Sequence, residues 1–485
     1  MFRTFLSLTL APLAVLAAAP PKESDYYPIQ NVPNPDKYVL EIGALEHAPD
    51  GTIYAATRRG EVYRVTNALD SDLSKAKISV FAKGMHETLG AAWVNGALIV
   101  QQRGELTRLK DDDGDGRADS FDCLSDQFGL SGDYHEYAFS SRPDKNGNIW
   151  SVFCLTGSFT SNVIWRGWAV TTTPDGKTEA ICSGIRSPGG IGFNAEGDAF
   201  YTDNQGPWNG SSSLKWLRPG SFQGHPGGLN WADKAANLKE RPVQPIDNGR
   251  MVTERARNPL FVPPAVVLPH GRVGQSPTAI VCDTTNGKFG PFKNQLFVGD
   301  QCYSNITRCC LEKVDGLYQG AAIPFVEGFG SGIIGMVLTP DGKMFAGGSD
   351  RGWGARGGKP YNFDRLVWTG QTPFEILEMK AKPDGFQLTF TQPVDKTAAA
   401  NPDSYKLDAW TWAFRAEYGG PEVDHATPKV TAVTVSEDGL SARLKIEGLV
   451  KGHVHHLKSQ GVKSAAGLPL LHADAYYTLN NIPAQ

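Results

Sequence analysis

The chain has 485 residues, a net charge of −4 and no run of basic side chains, which argues against nucleic acid or an anionic membrane as a partner. Its 54 glycines and 32 prolines suit an all-β protein full of turns, long enough for one large domain and a smaller one. Seven cysteines leave at least one thiol without an intrachain partner, and most read as small buried hydrophobes. No Cys-x-x-Cys-His occurs, which excludes covalent haem.

The opening MFRTFLSLTLAPLAVLAAAP combines a positive Arg3, an apolar stretch from Phe5 to Leu16 and the small residues Ala17, Ala18 and Ala19. That is the pattern of a signal peptide over residues 1–19, and the apolar run is too short to span a bilayer. With no cysteine just after the cleavage site, the prediction is export with release, to the periplasm or the extracellular space, and no membrane span.

A turn ending in Gly or Asn then runs into a short apolar-aromatic strand six times: DGTIYAAT at 50, NGALIVQQ at 95, NGNIWSVF at 146, EGDAFYTD at 196, KNQLFVGD at 293 and DGKMFAGG at 341. The gaps are 45, 51, 50, 97 and 48 residues. A strand-built period of this size marks a β-propeller, because one blade cannot bury its own faces. Six blades are expected over residues 35–368. The doubled gap predicts an insertion at a blade joint, residues 205–275, rich in Gly, Ser, Pro and Trp and a candidate lid.

In chain order, DDDGDGRADSFD starts at Asp111 and sets Asp111, Asp113, Asp115 and Asp122 at positions 1, 3, 5 and 12 of a calcium loop. Gly116 takes the sharp-turn position and Arg117 would offer its carbonyl. So many carboxylates in twelve residues would repel one another without a cation, and structural calcium is the expectation. His135 follows, between Asp133 and Glu136, which would fix its tautomer and raise its basicity as a general base. Arg186 leads into Pro-Gly-Gly, a loop that can aim a guanidinium down the channel. Trp208, Trp353 and His270 lie in Gly-rich loops and suit contact with a sugar. Beyond residue 373 the alternation of Phe386, Leu388 and Phe390, and of Leu444 and Ile446, predicts a β-sandwich of immunoglobulin or fibronectin type III kind over 373–485. There His453 and His455 share one strand face, read as solvated rather than metal-binding.

Together these segments resemble the glucose/sorbosone dehydrogenase family of six-bladed quinoprotein sugar dehydrogenases, over roughly residues 40–360, and most of all its exported branch labelled membrane-bound dehydrogenase. The resemblance implies that His135 is the general base. Gly184-Ile185-Arg186-Ser187-Pro188-Gly189-Gly190 matches the family loop whose arginine polarises the carbonyl of pyrroloquinoline quinone, with Ser187 in place of Asn. Gln205-Gly206-Pro207 matches the segment whose carbonyls bind a cofactor-linked Ca²⁺, so Gly206 and Pro207 are implied cofactor contacts. The paired arginines that clamp the quinone carboxylates have no match in Gly330–Gly335, and Arg351 or Arg356 would have to substitute. The implied activity is oxidation of a sugar or polyol hydroxyl, with electrons passing to a separate carrier such as a cytochrome c. The missing clamp keeps two rivals open: a cofactor-free carbohydrate lyase or hydrolase using His135 and His270, and a non-catalytic glycan-binding propeller.

Overall fold

The computed structural model describes residues 20–157 and 159–484; the expected signal peptide, residues 1–19, lies outside them. Every copy of the repeat falls on the hairpin joining the first two strands of a blade. Blade one is built from Ile42–His47, Ile53–Thr57, Val62–Thr66 and Lys77–Ala82, and blade two from Ala91–Val94, Ala97–Gln101, Leu106–Lys110 and Ser120–Ser125. Blade three uses Ala138–Pro143, Ile149–Phe153, Trp168–Thr172 and Thr178–Ser183, and blade four Pro188–Phe193, Ala199–Asp203, Ser213–Trp216 and Val266–Val267. Blade five contains Pro277–Cys282, Leu296–Asp300, Asn305–Val314 and Leu317–Glu327.

The hairpin turns hold because short polar side chains bond their own backbone. In blade three Asp144 Oδ1 accepts from the amides of Asn146 and Asn148, and Gly147 takes φ 83°, which a side chain would resist. The second strand of blades one, two, four and five is buried at every position. Each blade lies between two others, so both of its faces are covered. The first strands pack side by side around the channel, and the ring closes where that of blade six, Gly335–Leu338, meets that of blade one.

Closure also uses the N-terminus. Blade six, with Gly335–Leu338, Lys343–Ser349 and Tyr361–Val367, takes Ile29–Asn31 as its outer strand, pairing Ile29 with Leu366. The propeller therefore starts before residue 35, since a three-residue strand is too short for its pattern to show in the sequence.

The doubled gap is not at a blade joint. It lies inside blade four, between Ser213–Trp216 and Val266–Val267, and carries the 3-10 helix Pro226–Lys234 and the α-helix Met251–Arg257. It packs outward: the Trp168 indole donates to the Gly228 carbonyl at 2.6 Å, and Phe261 stacks on Phe414. Of the predicted stretch 205–275, only Gln205, His270 and Gln275 at its two ends line the channel mouth, and none of residues 217–265 does, so the chain inserted between the two blade-four strands is a brace and not a lid.

The C-terminal strands form a sandwich whose two sheets differ in their edges. One sheet runs Ile376–Lys382, Gly385–Phe390, Ser441–Glu447 and Lys429–Val435. The other, Asp474–Leu479, His453–Lys458, Lys406–Trp412 and Glu422–Ala426, continues directly from the last strand of blade five, with Gly320 opposite Thr478 and Ala322 opposite Tyr476. That pairing covers an edge of blade five that would otherwise be open to aggregation. Arg308 of blade five is buried and donates to the carbonyls of Ile376 and Leu377, which ties the two units again. His453 and His455 are buried, not solvated: His453 Nε2 bonds the Asp424 carbonyl and His455 Nε2 accepts from the Val450 amide. All seven cysteines are free thiols.

Candidate functional site

At the end of the channel where the first strands begin and the second strands end lies a cavity of about 310 Å³. Its wall is made of loop residues that flank those strand ends, with His135, Arg186, His270 and Trp353 among them. These four predicted residues are thus brought together from the loops leading into blades three, four and five and from a loop within blade six.

His135 stands three residues before blade three, held by the Asp133 carboxylate, which accepts from the His135 amide at 2.8 Å and from Gly157 at 2.9 Å. Neither flanking carboxylate touches the imidazole. Glu136 is turned into its own loop, accepting from Ser131 and Gly132. The ring partners are instead the Leu155 carbonyl, 3.2 Å from Nδ1, and the Cys154 thiol, 3.4 Å from it. A carbonyl at Nδ1 demands a proton there, so the lone pair is assigned to Nε2. Burial alone would lower the imidazole pKa, but Cys154 and the Leu155 carbonyl outweigh it and raise it above the ordinary value. The thiol donates onward to the Arg186 carbonyl at 3.4 Å.

Arg186 is buried, and its guanidinium lies 4.7 Å from the Phe159 ring centre and 5.1 Å from that of Tyr418. Nη1 donates to the Gln205 carbonyl at 2.9 Å, while the buried Nε has no partner among the described residues. A Cβ on Gly206 would run into the guanidinium, so that glycine makes the room Arg186 occupies. The loop is pinned from below: Asp203 accepts from the Ser187 amide, the Tyr201 hydroxyl and the Lys215 ammonium, an ion pair of 2.9 Å with both side chains buried.

Two further buried atoms at the cavity lack partners among the described residues, Asn204 Oδ1 and His270 Nδ1. Burial pulls the His270 pKa down, so this imidazole is neutral near pH 7. Exposed rings stand at the rim: Tyr134 at 63 %, Tyr418 at 61 % and Trp353 at 39 %. Tyr418 comes from the sandwich and could not be found from the blade period. Gln205 opens the segment matched in the sequence, and Asn204 immediately precedes it.

Other expected residues lie elsewhere. Gly206 and Pro207 do not line the cavity; they form the tight turn closed by Gly206 and Asn209. Trp208 packs on Phe414 at 5.2 Å and its amide donates to the Arg415 carbonyl, so it anchors the sandwich and touches no cavity wall. Arg351 pairs with Glu41 at 3.2 Å beside a neighbouring cleft. In the acidic loop, a hairpin of blade two, Asp111, Asp113 and Asp115 each place an oxygen within 4.8 Å of the others. Asp122 stands apart from that cluster on the next strand, opposite Arg108, and Asp119 turns back to accept from the amides of Asp112 and Asp113. Arg117 donates its amide to Asp115.

The propeller has the fold of solved sugar dehydrogenases. The PQQ-bound form of aldose sugar dehydrogenase from Streptomyces coelicolor superposes with a TM-score of 0.51 at 14 % identity, over 72 % of this chain and 99 % of that one. A Trichoderma reesei carbohydrate-active enzyme of family AA12 gives 0.51 at 12 %, over 74 % and 100 %. An oxidoreductase (glucose dehydrogenase) from Thermus thermophilus gives 0.51 at 17 %, over 70 % and 99 %. At these identities the likeness establishes architecture. Residues 37–270 match a family model described as a domain of unknown function, DUF7133. No curated protein matches the chain.

The quinone implied by the sequence resemblance carries three carboxylates, which need cationic partners when buried. The cavity wall holds two guanidiniums, and both are committed. Arg58 gives Nε and Nη2 to Glu87 and Nη1 to the Arg351 carbonyl. Arg186 lies over two rings and occupies the Gln205 carbonyl that a calcium ion would need. Arg186 keeps Nε and Nη2 without hydrogen-bond partners among the described residues, one guanidinium for three carboxylates. The wall of this cavity by itself does not supply the cations that the tricarboxylate quinone needs.

Proposed function

We propose that this protein is an exported oxidoreductase acting on a hydroxyl of a sugar or polyol. Support comes from one observation: His135, with its lone pair on Nε2, shares a cavity with three partnerless buried polar atoms, Arg186 Nε, Asn204 Oδ1 and His270 Nδ1. Buried polar atoms are costly unless a ligand completes them, and a polyol offers both donors and acceptors. The rim aromatics suit the apolar face of a sugar ring.

In this reading His135 Nε2 accepts the hydroxyl proton and Arg186 holds the oxygen as negative charge develops. The carbon's hydrogen leaves as hydride to a soluble two-electron acceptor of the quinone class, which with one proton becomes the hydroquinone and then passes its electrons singly to a carrier such as a cytochrome c. The test is sugar-dependent reduction of redox dyes by the purified protein, with and without added pyrroloquinoline quinone and Ca²⁺. Reduction lost in His135→Ala supports the proposal, and no reduction with any sugar, acceptor or added quinone overturns it.

The committed guanidiniums favour a second reading, a cofactor-free lyase. There His135 would take a carbon-bound proton, the bond to the leaving sugar oxygen would break, and His270 would serve as its acid-base partner. An unsaturated, ultraviolet-absorbing product formed without any acceptor selects it.

Calcium belongs to this proposal as a structural ion at Asp111, Asp113 and Asp115, whose oxygens stand close enough to share one cation. Added Ca²⁺ should raise the melting temperature, and Asp113→Asn should remove that response.

A further inference from the structure

Beside the cavity lies a second, more open cleft of about 530 Å³. The two share Arg58, Tyr134 and Tyr137, so one ligand can run from the first to the second across the exposed Tyr134 ring.

The cleft is cationic by construction. Arg58, Arg59, Arg103 and Arg351 all line it, against a single lining carboxylate, Glu87. Glu87 is shared: Oε1 accepts from Arg58 at 2.5 Å and Oε2 from Arg103 at 2.5 Å. One carboxylate therefore balances one of two guanidiniums. Glu87 holds this post in the left-handed region, φ 51°, a conformation that costs energy for a non-glycine residue and persists where the surroundings enforce it. Arg351 is offset by Glu41 behind it. Arg59 is exposed and has no carboxylate partner among the described residues. Four guanidiniums against two carboxylates leave an excess of positive charge in a concave site. Tyr137 lies under Arg103 at 4.6 Å and Arg58 at 5.5 Å, holding both in place.

We infer that the cleft is an anion subsite, and that the substrate is an acidic oligosaccharide. One sugar sits in the cavity and the next carries a uronate carboxylate or a sulfate ester between Arg59 and the Arg58–Glu87–Arg103 cluster. Planar guanidiniums suit both oxyanions. This rests on the carbohydrate reading above and deepens it. A neutral sugar chain would leave the uncompensated charge unused.

Calorimetric binding separates the two claims. The probes are a panel of uronate oligosaccharides, the same chains after carboxyl reduction, and sulfated oligosaccharides. The expected result is at least about tenfold tighter binding of an acidic chain than of its reduced form, as one desolvated charge-assisted contact provides. The preference should shrink with added salt and disappear in Arg59→Glu, a surface change that leaves the fold intact, while Arg59→Lys retains part of it. Preference for sulfated chains alone assigns the oxyanion as sulfate. Reduced chains binding as tightly as acidic ones overturn the anion subsite and leave the carbohydrate reading standing. No binding by any member overturns both.

Discussion

The Cys154 sulfur lies 3.4 Å from Nδ1 of His135, buried and outside the cavity lining. A carboxylate in this place would carry a full charge; a thiol polarises the imidazole less and can be oxidised. The carboxylates beside His135 in the sequence bond backbone amides instead.

The base function of His135 needs the neutral ring, and its pKa stands above the ordinary value near 6.5. Activity should therefore rise as pH climbs through a value above 6.5 and level off beyond it. Cys154→Ala removes an influence that raises the pKa and leaves the burial that lowers it. The rising limb of kcat/KM should move to lower pH, with the plateau reduced through a poorly held ring. A limb unchanged in position would remove Cys154 from the titration.

Gly206→Ala should displace Arg186, because the new methyl needs the guanidinium's volume. Turnover should fall about 10²-fold, the size of a lost charge-stabilising donor, while the melting temperature changes little. Wild-type turnover in this variant would show that Arg186 takes no part in the chemistry.

Lys215→Met leaves the Asp203 carboxylate buried without its cation. Removing one partner of a buried pair costs about 3–5 kcal/mol, so chemical denaturation should show a loss of this order. Replacing both, as Asp203→Asn with Lys215→Met, should recover much of it. The Ser187 amide loses its charged acceptor in the double variant, so Arg186 becomes less well placed there.

His472 joins three parts of the chain: Nδ1 meets Glu375 at 2.6 Å and Nε2 meets Glu23 of the N-terminal segment at 2.9 Å. Burial pulls its pKa down, but the two carboxylates prevail and push it up to about 9. Raised above its unfolded value near 6.5, the group contributes its full stability below pH 6.5 and loses it as pH rises through about 9. Melting temperature should decline across that window, and His472→Gln should flatten the decline.

The propeller was legible in the chain because blades repeat: each needs the same turn into the same buried strand, and six copies expose the period. The sandwich showed through simple alternation. His135, Arg186, His270 and Trp353 were found because they stand near the far ends of those strands, where propeller loops converge. What local pattern could not carry was pairing between distant segments. Ile29–Asn31 becomes a strand only because Tyr361–Val367 offers it an edge. The sandwich joins blade five through Gly320 and Thr478, and this seats Tyr418 over Arg186. That packing also turned Trp208 into an anchor and the blade-four insertion into a brace. Residue type and period are properties of the chain, whereas the partners of His135, Arg186 and the arginine cleft depend on contacts between blades, which form only when the ring closes.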